Sequence, residues 1–224
     1  MKTIYKTLRF ISMVTLPLLI ILTAIRVALL PIFVTVEYQM LSFPPDPYGF
    51  TTADRLEWSK YSIDYLLGKI SDEEIFNQTL EDGSALFNER EMKHMQDVRD
   101  LTQIVLVVWR CLIILFIAVL FMSLQLNDLD NLRFAYRKGV MSAFVIIAII
   151  LVFVALNFNL IFTKFHEVFF EGETWLFYMS DNLIRLFPLR FWRDIFIFIG
   201  LTSIIFSAVI YTLPSFFLIK KAQR

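Results

Sequence analysis

Two histidines are the side chains of this sequence best suited to acid–base chemistry. His94 and His166 are its only histidines, and acidic residues lie close to both. Imidazole changes charge near neutral pH, which makes histidine a common general acid or base. On a helix, His94 shares one face with Arg90, Glu91 and Asp97, which lie three or four positions away. We therefore expect a carboxylate to fix the tautomer of His94 and to raise its basicity.

Each histidine also has a purely structural interpretation. Glu91 and Asn88 would form a capping box at the start of a helix, and the other charged residues there would face solvent. His166 lies in the aromatic segment 165–175, where an amphipathic side chain can extend from a membrane surface toward water. The location of both histidines on one side of a membrane, argued below, favours the catalytic interpretation.

Other catalytic patterns are missing from the sequence. It has no Gly-x-Ser-x-Gly nucleophile elbow and no His-Glu-x-x-His zinc motif. Its one cysteine, Cys111, lies in an apolar stretch without an evident base. Glu91 and His94 have Glu-x-x-His spacing, but a di-iron site needs a second copy and two further carboxylates. We therefore predict no covalent acyl-enzyme, no metal and no cofactor.

The composition indicates a membrane protein. The chain has 224 residues, of which 58% are hydrophobic and 16% aromatic, and its mean hydropathy is +0.65. Its 21 basic and 21 acidic residues give no basic surface for nucleic acid. Apolar runs that exceed the roughly 20 residues needed to cross a bilayer occupy 10–36, 101–127, 139–163 and 195–219. We predict an all-α integral membrane protein with four transmembrane helices in a single domain, 1–224.

The charges predict how these spans are oriented. Segment 37–100 holds 14 acidic residues and 6 basic ones, whereas the other side of the membrane is basic. The basic residues that mark that side are Lys2, Lys6, Arg9, Arg133, Arg137, Lys138, Lys220, Lys221 and Arg224, and its two acids are Asp128 and Asp130. Positive residues near span ends stay cytoplasmic. Both termini are therefore predicted inside, and the loops 37–100 and 164–194, with both histidines, outside.

Short helices are predicted in both outer loops. In the first loop we expect helices over 52–67 and over 72–80, with Ser71 as the N-cap, and a longer one that runs from Asn88 into the second span. In the second loop, Ser180 or Asp181 would cap a helix that ends before Pro188. We expect these loop helices to cap the bundle.

Two arginines interrupt the apolar spans at similar depth. Arg26 and Arg110 each lie ten residues from the outer end of a span, which corresponds to about 15 Å along a helix. Charged residues inside a membrane usually line a polar cavity or form an ion pair. With Asn157 and Asn159 they predict a polar cavity that opens outward beneath the loops. In the alternative interpretation, the arginines extend upward and bind loop carboxylates.

Three blocks of the sequence resemble the bacterial lipoprotein intramolecular transacylase family. They are FNEREMKHMQDV at 87–98, FHEVFFEGETW at 165–175 and NLIRLFP at 182–188. The resemblance extends over essentially the whole chain, with four spans, a long acidic first outer loop and a short second one that contains a histidine. It implies a bacterial plasma-membrane enzyme whose active site faces the extracytoplasmic side.

The resemblance also implies a reaction and its substrate. The substrate would be a lipoprotein whose N-terminal cysteine bears a diacylglyceryl group, and the sn-2 acyl chain would move to the α-amine of that cysteine. Because ester and nucleophile belong to one molecule, positioning alone can supply much of the acceleration.

Each candidate residue then has an implied role. His166 would be the base, and His94, oriented by Glu91 or Asp97, would donate to the oxyanion or the leaving alkoxide. The two histidines could also exchange these roles. The arginines that could stabilise the oxyanion or bind the peptide are Arg26, Arg90, Arg110 and Arg185. Trp175 and the phenylalanines around it would hold acyl chains.

Two rival functions belong to other classes. An outer-leaflet lipid acyl hydrolase or transferase would use the same histidines with water or a second lipid as the acceptor. A non-enzymatic membrane scaffold or sensor would bind a partner through the acidic loop and use the histidines as pH-responsive contacts. A transporter is disfavoured because the inner halves of the spans lack polar residues.

Overall fold

A computed structural model of the chain describes residues 2–127 and 129–222, and these are helical throughout apart from turns and one isolated bridge between Thr79 and Ala85. The helices are α1 Lys2–Ala28, α2 Pro31–Gln39, α3 Thr52–Leu66, α4 Asp72–Phe76, α5 Glu89–Gln125, α6 Leu129–Phe169, α7 Asn182–Leu186 and α8 Leu189–Ala222. Asp128 and Arg224, which the orientation argument uses, lie outside the described residues.

Four of these helices are long and apolar enough to cross a membrane. They are Thr3–Ala28, Glu89–Gln125, Asp130–Phe169 and Leu189–Thr212. Large apolar side chains on them remain exposed, such as Ile114 at 67%, Phe121 at 60% and Phe153 at 58%. A helix that exposes such side chains is suited to lipid. The prediction of an all-α protein with four candidate membrane spans is confirmed, and the orientation of the spans stays a prediction.

The chain forms two compact units, to both of which α5, α6 and α8 contribute. The first unit comprises the described parts of Met1–Val27, Leu106–Ala155 and Ile197–Arg224. A buried cluster in this unit joins α1 to α6 through Leu16, Ile20, Val140, Ala143 and Ile147. These are aliphatic and small side chains, so this unit is held together by close apolar packing.

Gly200 is a point of close packing between α8 and α6 in the first unit. A Cβ atom at this position would lie 2.5 Å from Cδ2 and 2.9 Å from Cγ of Leu151. Gly139 makes a looser approach of α6 to α1, where an added Cβ would lie 3.2 Å from Leu16 Cβ. Small residues thus let the long helices of this unit approach each other, as is usual for helices in membranes.

The second unit contains Ala28–Val105 and Leu156–Phe196. Helix α3 begins with a capping box between Thr51 and Asp54, and α4 begins with one between Ser71 and Glu74. The prediction of two helices in this loop and of Ser71 as an N-cap is confirmed, although α4 ends at Phe76, before the predicted end at 80. Helix α7 follows Asp181 and ends at Leu186, ahead of Pro188, as predicted.

The first predicted span, 10–36, is interrupted. Helix α1 ends at Ala28, and Leu30 is extended, with φ −80° and ψ 143°, before Pro31 opens α2. Proline disfavours the helical region for the residue before it and has no N–H to continue the hydrogen-bond ladder. The apolar run therefore forms two helices, and the second of them belongs to the second unit.

We expect Gly200→Ala to destabilise the protein by about 1–3 kcal/mol, the usual cost of adding a methyl group to a tightly packed site. Thermal unfolding in detergent would measure this loss. Leu151→Ala removes the atoms that the new methyl group meets, so a double-mutant cycle should show a favourable coupling between the two substitutions. Strictly additive effects would contradict the close approach of α8 to Leu151.

Candidate active site

The second unit contains a partly open cavity of about 110 Å³. Most of its lining is aliphatic or aromatic, and the lining residues with polar side chains other than the tryptophans are Ser62, His94 and His166. From the histidines the lining continues along the helices to Val98 on α5, Phe162 on α6 and Ile195 on α8. The cavity therefore suits an apolar chain next to acid–base groups, and it is less polar than the sequence predicts.

The two histidines face each other in this cavity. Their rings are stacked, with centroids 5.9 Å apart and planes 22° apart. They are only 6% and 7% exposed, and the sequence places them 72 positions apart on α5 and α6. Phe170 contacts both rings, Phe177 contacts His94, and Trp175 lies 4.9 Å from His166. Such apolar surroundings favour neutral imidazole, the form that can accept a proton.

A backbone contact selects the tautomer of His166. Its Nδ1 lies 2.7 Å from the carbonyl oxygen of Phe162, one turn earlier on α6. Since a carbonyl can only accept, Nδ1 carries the proton, and in the neutral ring Nε2 keeps a free lone pair. His166 is therefore held in the form of a general base.

A break in α6 precedes this histidine. Asn157 departs from helical geometry, with φ −158° and ψ 79°, and its Oδ1 accepts a hydrogen bond from the Leu160 amide at 3.1 Å. This contact acts as an N-cap for the last turns of α6, which contain Phe162 and His166. Asn157 and Asn159 are both exposed and are not among the residues that line the cavity.

His94 is buried without a carboxylate bound to its ring. Its Nδ1 has no hydrogen-bond partner among the described residues. The two candidates for orienting it are engaged elsewhere. Asp97 pairs with Lys93 at 3.3 Å, and Glu91 binds backbone amides. The aromatic contacts of His94, rather than an acid, hold its ring in place.

Glu91 joins the start of α5 to α7. Its Oε2 accepts from the Asn88 amide at 2.8 Å, while Asn88 Oδ1 accepts from the Glu91 amide at 3.0 Å. This is the capping box of the structural interpretation. The other oxygen, Oε1, accepts from the Leu183 amide at 2.6 Å, and the residue is only 1% exposed. Because Leu183 lines the cavity, Glu91 positions part of its wall.

Two of the arginines singled out from the sequence, Arg90 and Arg185, belong to the second unit and bind carboxylates of the loops. Arg90 pairs with Asp181 at 2.7 Å. Arg185 pairs with Asp46 at 3.0 Å and packs on the ring of Phe50 at 3.6 Å. Both contacts join the loop 37–100 to the loop 164–194, so these guanidinium groups hold the two loops together.

The remaining predicted residues divide between the units. Trp175 lines the cavity, as its implied role requires. Arg26 and Arg110 belong to the first unit and are not among the lining residues. Arg110 is exposed, and Nη1 of Arg26 is buried without a hydrogen-bond partner among the described residues. Their roles stay predictions.

Sequence analysis missed several residues that shape this unit. Asp46, whose side chain is only 1% exposed, accepts from Arg185 and lies 4.0 Å from Arg55. Glu37 is equally buried near the start of α8. The sequence did contain a signal for both acids. Glu37 is a lone acid at the end of an apolar run, and Asp46 is a lone acid between prolines.

The fold and this pair of histidines define a helical, membrane-integral protein with a candidate acid–base site. A sequence model of the lipoprotein intramolecular transacylase Lit family matches residues 10–192, so the chain belongs to that family.

Individual relatives agree with this assignment. An uncharacterized protein of Aquifex aeolicus (strain VF5) is 29% identical over 206 residues, 92% of each chain. The in meso structure of the membrane-integral transacylase Lit from Bacillus cereus has a TM-score of 0.79 at 18% identity over 100% of both chains. A variant of it with one histidine replaced by arginine has a TM-score of 0.68 at 15% identity, over 99% of this chain and 95% of that one. At these identities, the solved structures show that the fold is shared.

We expect Glu91→Gln to destabilise the protein by about 1–3 kcal/mol, because an amide can accept only one of the two backbone N–H groups that the carboxylate binds. Thermal unfolding in detergent would measure the loss. Glu89→Gln is the matched control, since Glu89 is exposed on the same turn, and it should shift stability by less than about 0.5 kcal/mol. Equal effects of both substitutions would contradict the bridging role of Glu91.

Proposed function

We propose that this protein catalyses intramolecular transacylation of bacterial lipoproteins. The sn-2 acyl chain of the diacylglyceryl group moves to the α-amine of the N-terminal cysteine and leaves an N-acyl lyso-lipoprotein. The observation that supports this most strongly is the buried His94–His166 pair on the wall of an apolar cavity, with Nε2 of His166 available as a base. Family membership gives the reaction class.

In the proposed mechanism, His166 moves the proton. The neutral α-amine attacks the ester carbonyl carbon, which forms the new C–N bond, and Nε2 of His166 takes the proton that the nitrogen loses. The C–O bond to glycerol then breaks, and the glycerol oxygen receives that proton. One proton passes from nitrogen to oxygen, so the reaction needs no external acid. General acid–base catalysis of this kind contributes about 10²- to 10⁴-fold.

His94 acts on the oxygen that becomes negative. Its ring centroid lies 5.9 Å from that of His166, so an ester carbonyl beside the pair would reach both histidines. A neutral imidazole N–H at that place donates to the oxyanion of the tetrahedral intermediate and to the departing alkoxide. A donor in an apolar site is worth more than one in water, because no solvent competes for the oxyanion.

The cavity offers no free enzyme nucleophile. Ser62 is the one hydroxyl or thiol residue among the described lining residues, and its Oγ donates to the Trp58 carbonyl at 2.7 Å. The exposed Cys111 belongs to the first unit. Direct transfer needs no such nucleophile, because the substrate supplies both amine and ester and a well-oriented intramolecular attack is fast.

The apolar lining accounts for the lipid part of the substrate. Trp175, Phe177 and Trp192 border the cavity near the histidines and provide surfaces for acyl chains. We place this site at the extracytoplasmic side of the bacterial plasma membrane, where a diacylglyceryl lipoprotein meets the outer leaflet. One of the solved relatives is a variant in which a histidine is replaced by arginine, and this choice of residue agrees with a role for a histidine in this fold.

The test is mass spectrometry of a lipoprotein's N-terminal lipopeptide from bacteria with and without this protein. We expect one N-acyl and one O-acyl chain with the wild-type protein, and two O-acyl chains with a free amine without it. At equal protein levels, His166→Ala should lower the yield of N-acyl product by about 10²-fold or more. Lys164→Gln is the matched control, since Lys164 is exposed on the same helix and pairs with the exposed Glu167, and it should retain activity.

Other products would favour the rival functions. Release of free fatty acid with an unmodified amine indicates a lipid acyl hydrolase. An unchanged lipopeptide in all strains, or full activity of the His94→Ala, His166→Ala double variant, would refute the proposed mechanism.

A further inference from the structure

Glu37 is a buried acid that no hydrogen-bond donor satisfies. It lies in the last turn of α2 and is only 1% exposed. Neither of its carboxylate oxygens has a hydrogen-bond partner in the structure, within the described residues. Burying an ionised carboxylate without partners is very costly, so such a group is expected to be neutral or to bind a cation.

The neighbour of Glu37 is a second acid. The side chain of Asp194, in the first turns of α8, lies within hydrogen-bonding reach of Glu37. The side chain of Asp194 is already paired with two arginines, because it accepts from Arg190 Nε at 3.0 Å and from Arg193 Nε at 3.1 Å. Two carboxylates in contact cannot both stay ionised at low cost, and a single shared proton converts their repulsion into a hydrogen bond.

None of the other described groups around Glu37 donates a hydrogen bond to its carboxylate. Arg190 also donates to the carbonyl and hydroxyl oxygens of Ser42, at 2.7 and 2.8 Å, and neither it nor Arg193 bonds Glu37. On its own helix, the hydroxyl of Tyr38 donates to the Leu186 carbonyl. Helix α3 packs against α2, and its Arg55 donates to the Pro44 carbonyl. A proton therefore remains the simplest partner for Glu37.

We propose that Glu37 is a neutral carboxylic acid whose hydrogen bond to Asp194 holds α2 against α8 and thereby positions one aromatic wall of the cavity. The contacts of that wall lie next to the acid pair. Phe33 and Tyr38 of α2 pack on Phe191 of α8, with ring centroids 5.5 and 5.9 Å apart, and Phe191 lines the cavity. Glu37 and Asp194 are positioning residues, and the inference holds whether or not the proposed reaction is correct.

The acid pair makes stability depend on pH in a defined direction. Burial, and then the charge of Asp194, raise the pKa of Glu37 from 4.5 to about 7. Between these values the folded chain keeps a proton that the unfolded chain releases, so the free energy of unfolding falls as pH rises. Glutamine cannot ionise and can still donate to Asp194. Glu37→Gln should therefore match the wild type near pH 5 and exceed its unfolding temperature by several degrees near pH 8.

The decisive experiment is infrared spectroscopy of the full-length protein in detergent. The wild type at pH 6 should show a carboxylic-acid carbonyl band that disappears in Glu37→Gln and fades in the wild type as pH rises to 9. Glu57→Gln, at an exposed position of α3, is the matched control and should keep the band. Labelling the wild type with ¹³C at glutamate carboxyls should shift the band, which tests the proposal without any substitution.

Two results would overturn the proposal. One is a spectrum at pH 6 with no acid band that responds to the glutamate label. The other is an unfolding temperature of Glu37→Gln that differs from the wild type by the same amount at pH 5 and pH 8. Neither readout involves lipoprotein, so failure here is distinguishable from failure of the proposed function.

Discussion

The architecture of the candidate site depends on one buried carboxylate. Glu91 accepts hydrogen bonds from the Asn88 amide at the start of α5 and from the Leu183 amide in α7. These two amides belong to segments 95 positions apart, and both would lack a partner without it. A carboxylate that satisfies amides at two helix starts is stabilised by their dipoles as well as by the hydrogen bonds. His94 follows one turn later on α5, and so its place relative to α7 is set by this contact.

Polar contacts and apolar packing stabilise different parts of the second unit. Ion pairs and backbone hydrogen bonds, such as Arg185 with Asp46 and Glu91 with Leu183, join the loop 37–100 to the loop 164–194. Aromatic packing then surrounds the two imidazoles. The two imidazoles are thereby shielded from most of the solvent, with exposures of only 6% and 7%. Charge that develops during a reaction would meet fixed dipoles rather than mobile solvent.

Much of the fold follows from local sequence patterns, but the site depends on contacts between distant residues. Uninterrupted apolar runs predict the four spans, and Ser71 followed by Glu74 predicts the start of α4, because both patterns act over a few residues. The rule for proline would also have located the break before Pro31. In contrast, the spacing on one helix predicts that Glu91 orients His94. In the structure, the Glu91 carboxylate instead binds the Asn88 amide and the distant Leu183 amide. Residue type alone could not show which arginine binds which loop carboxylate.

The break at Asn157 has a consequence for how this sequence can vary. In an unbroken helix each inserted or deleted residue turns everything that follows by about 100°. Here Asn157 is not helical, and its side chain accepts a hydrogen bond from the Leu160 amide, where a new helical segment begins. The angular position of His166 on this segment is therefore set relative to Asn157 and not relative to the beginning of α6. The apolar stretch before Asn157 can therefore change in length, as membranes of different thickness require, without altering the helical register between Asn157 and His166.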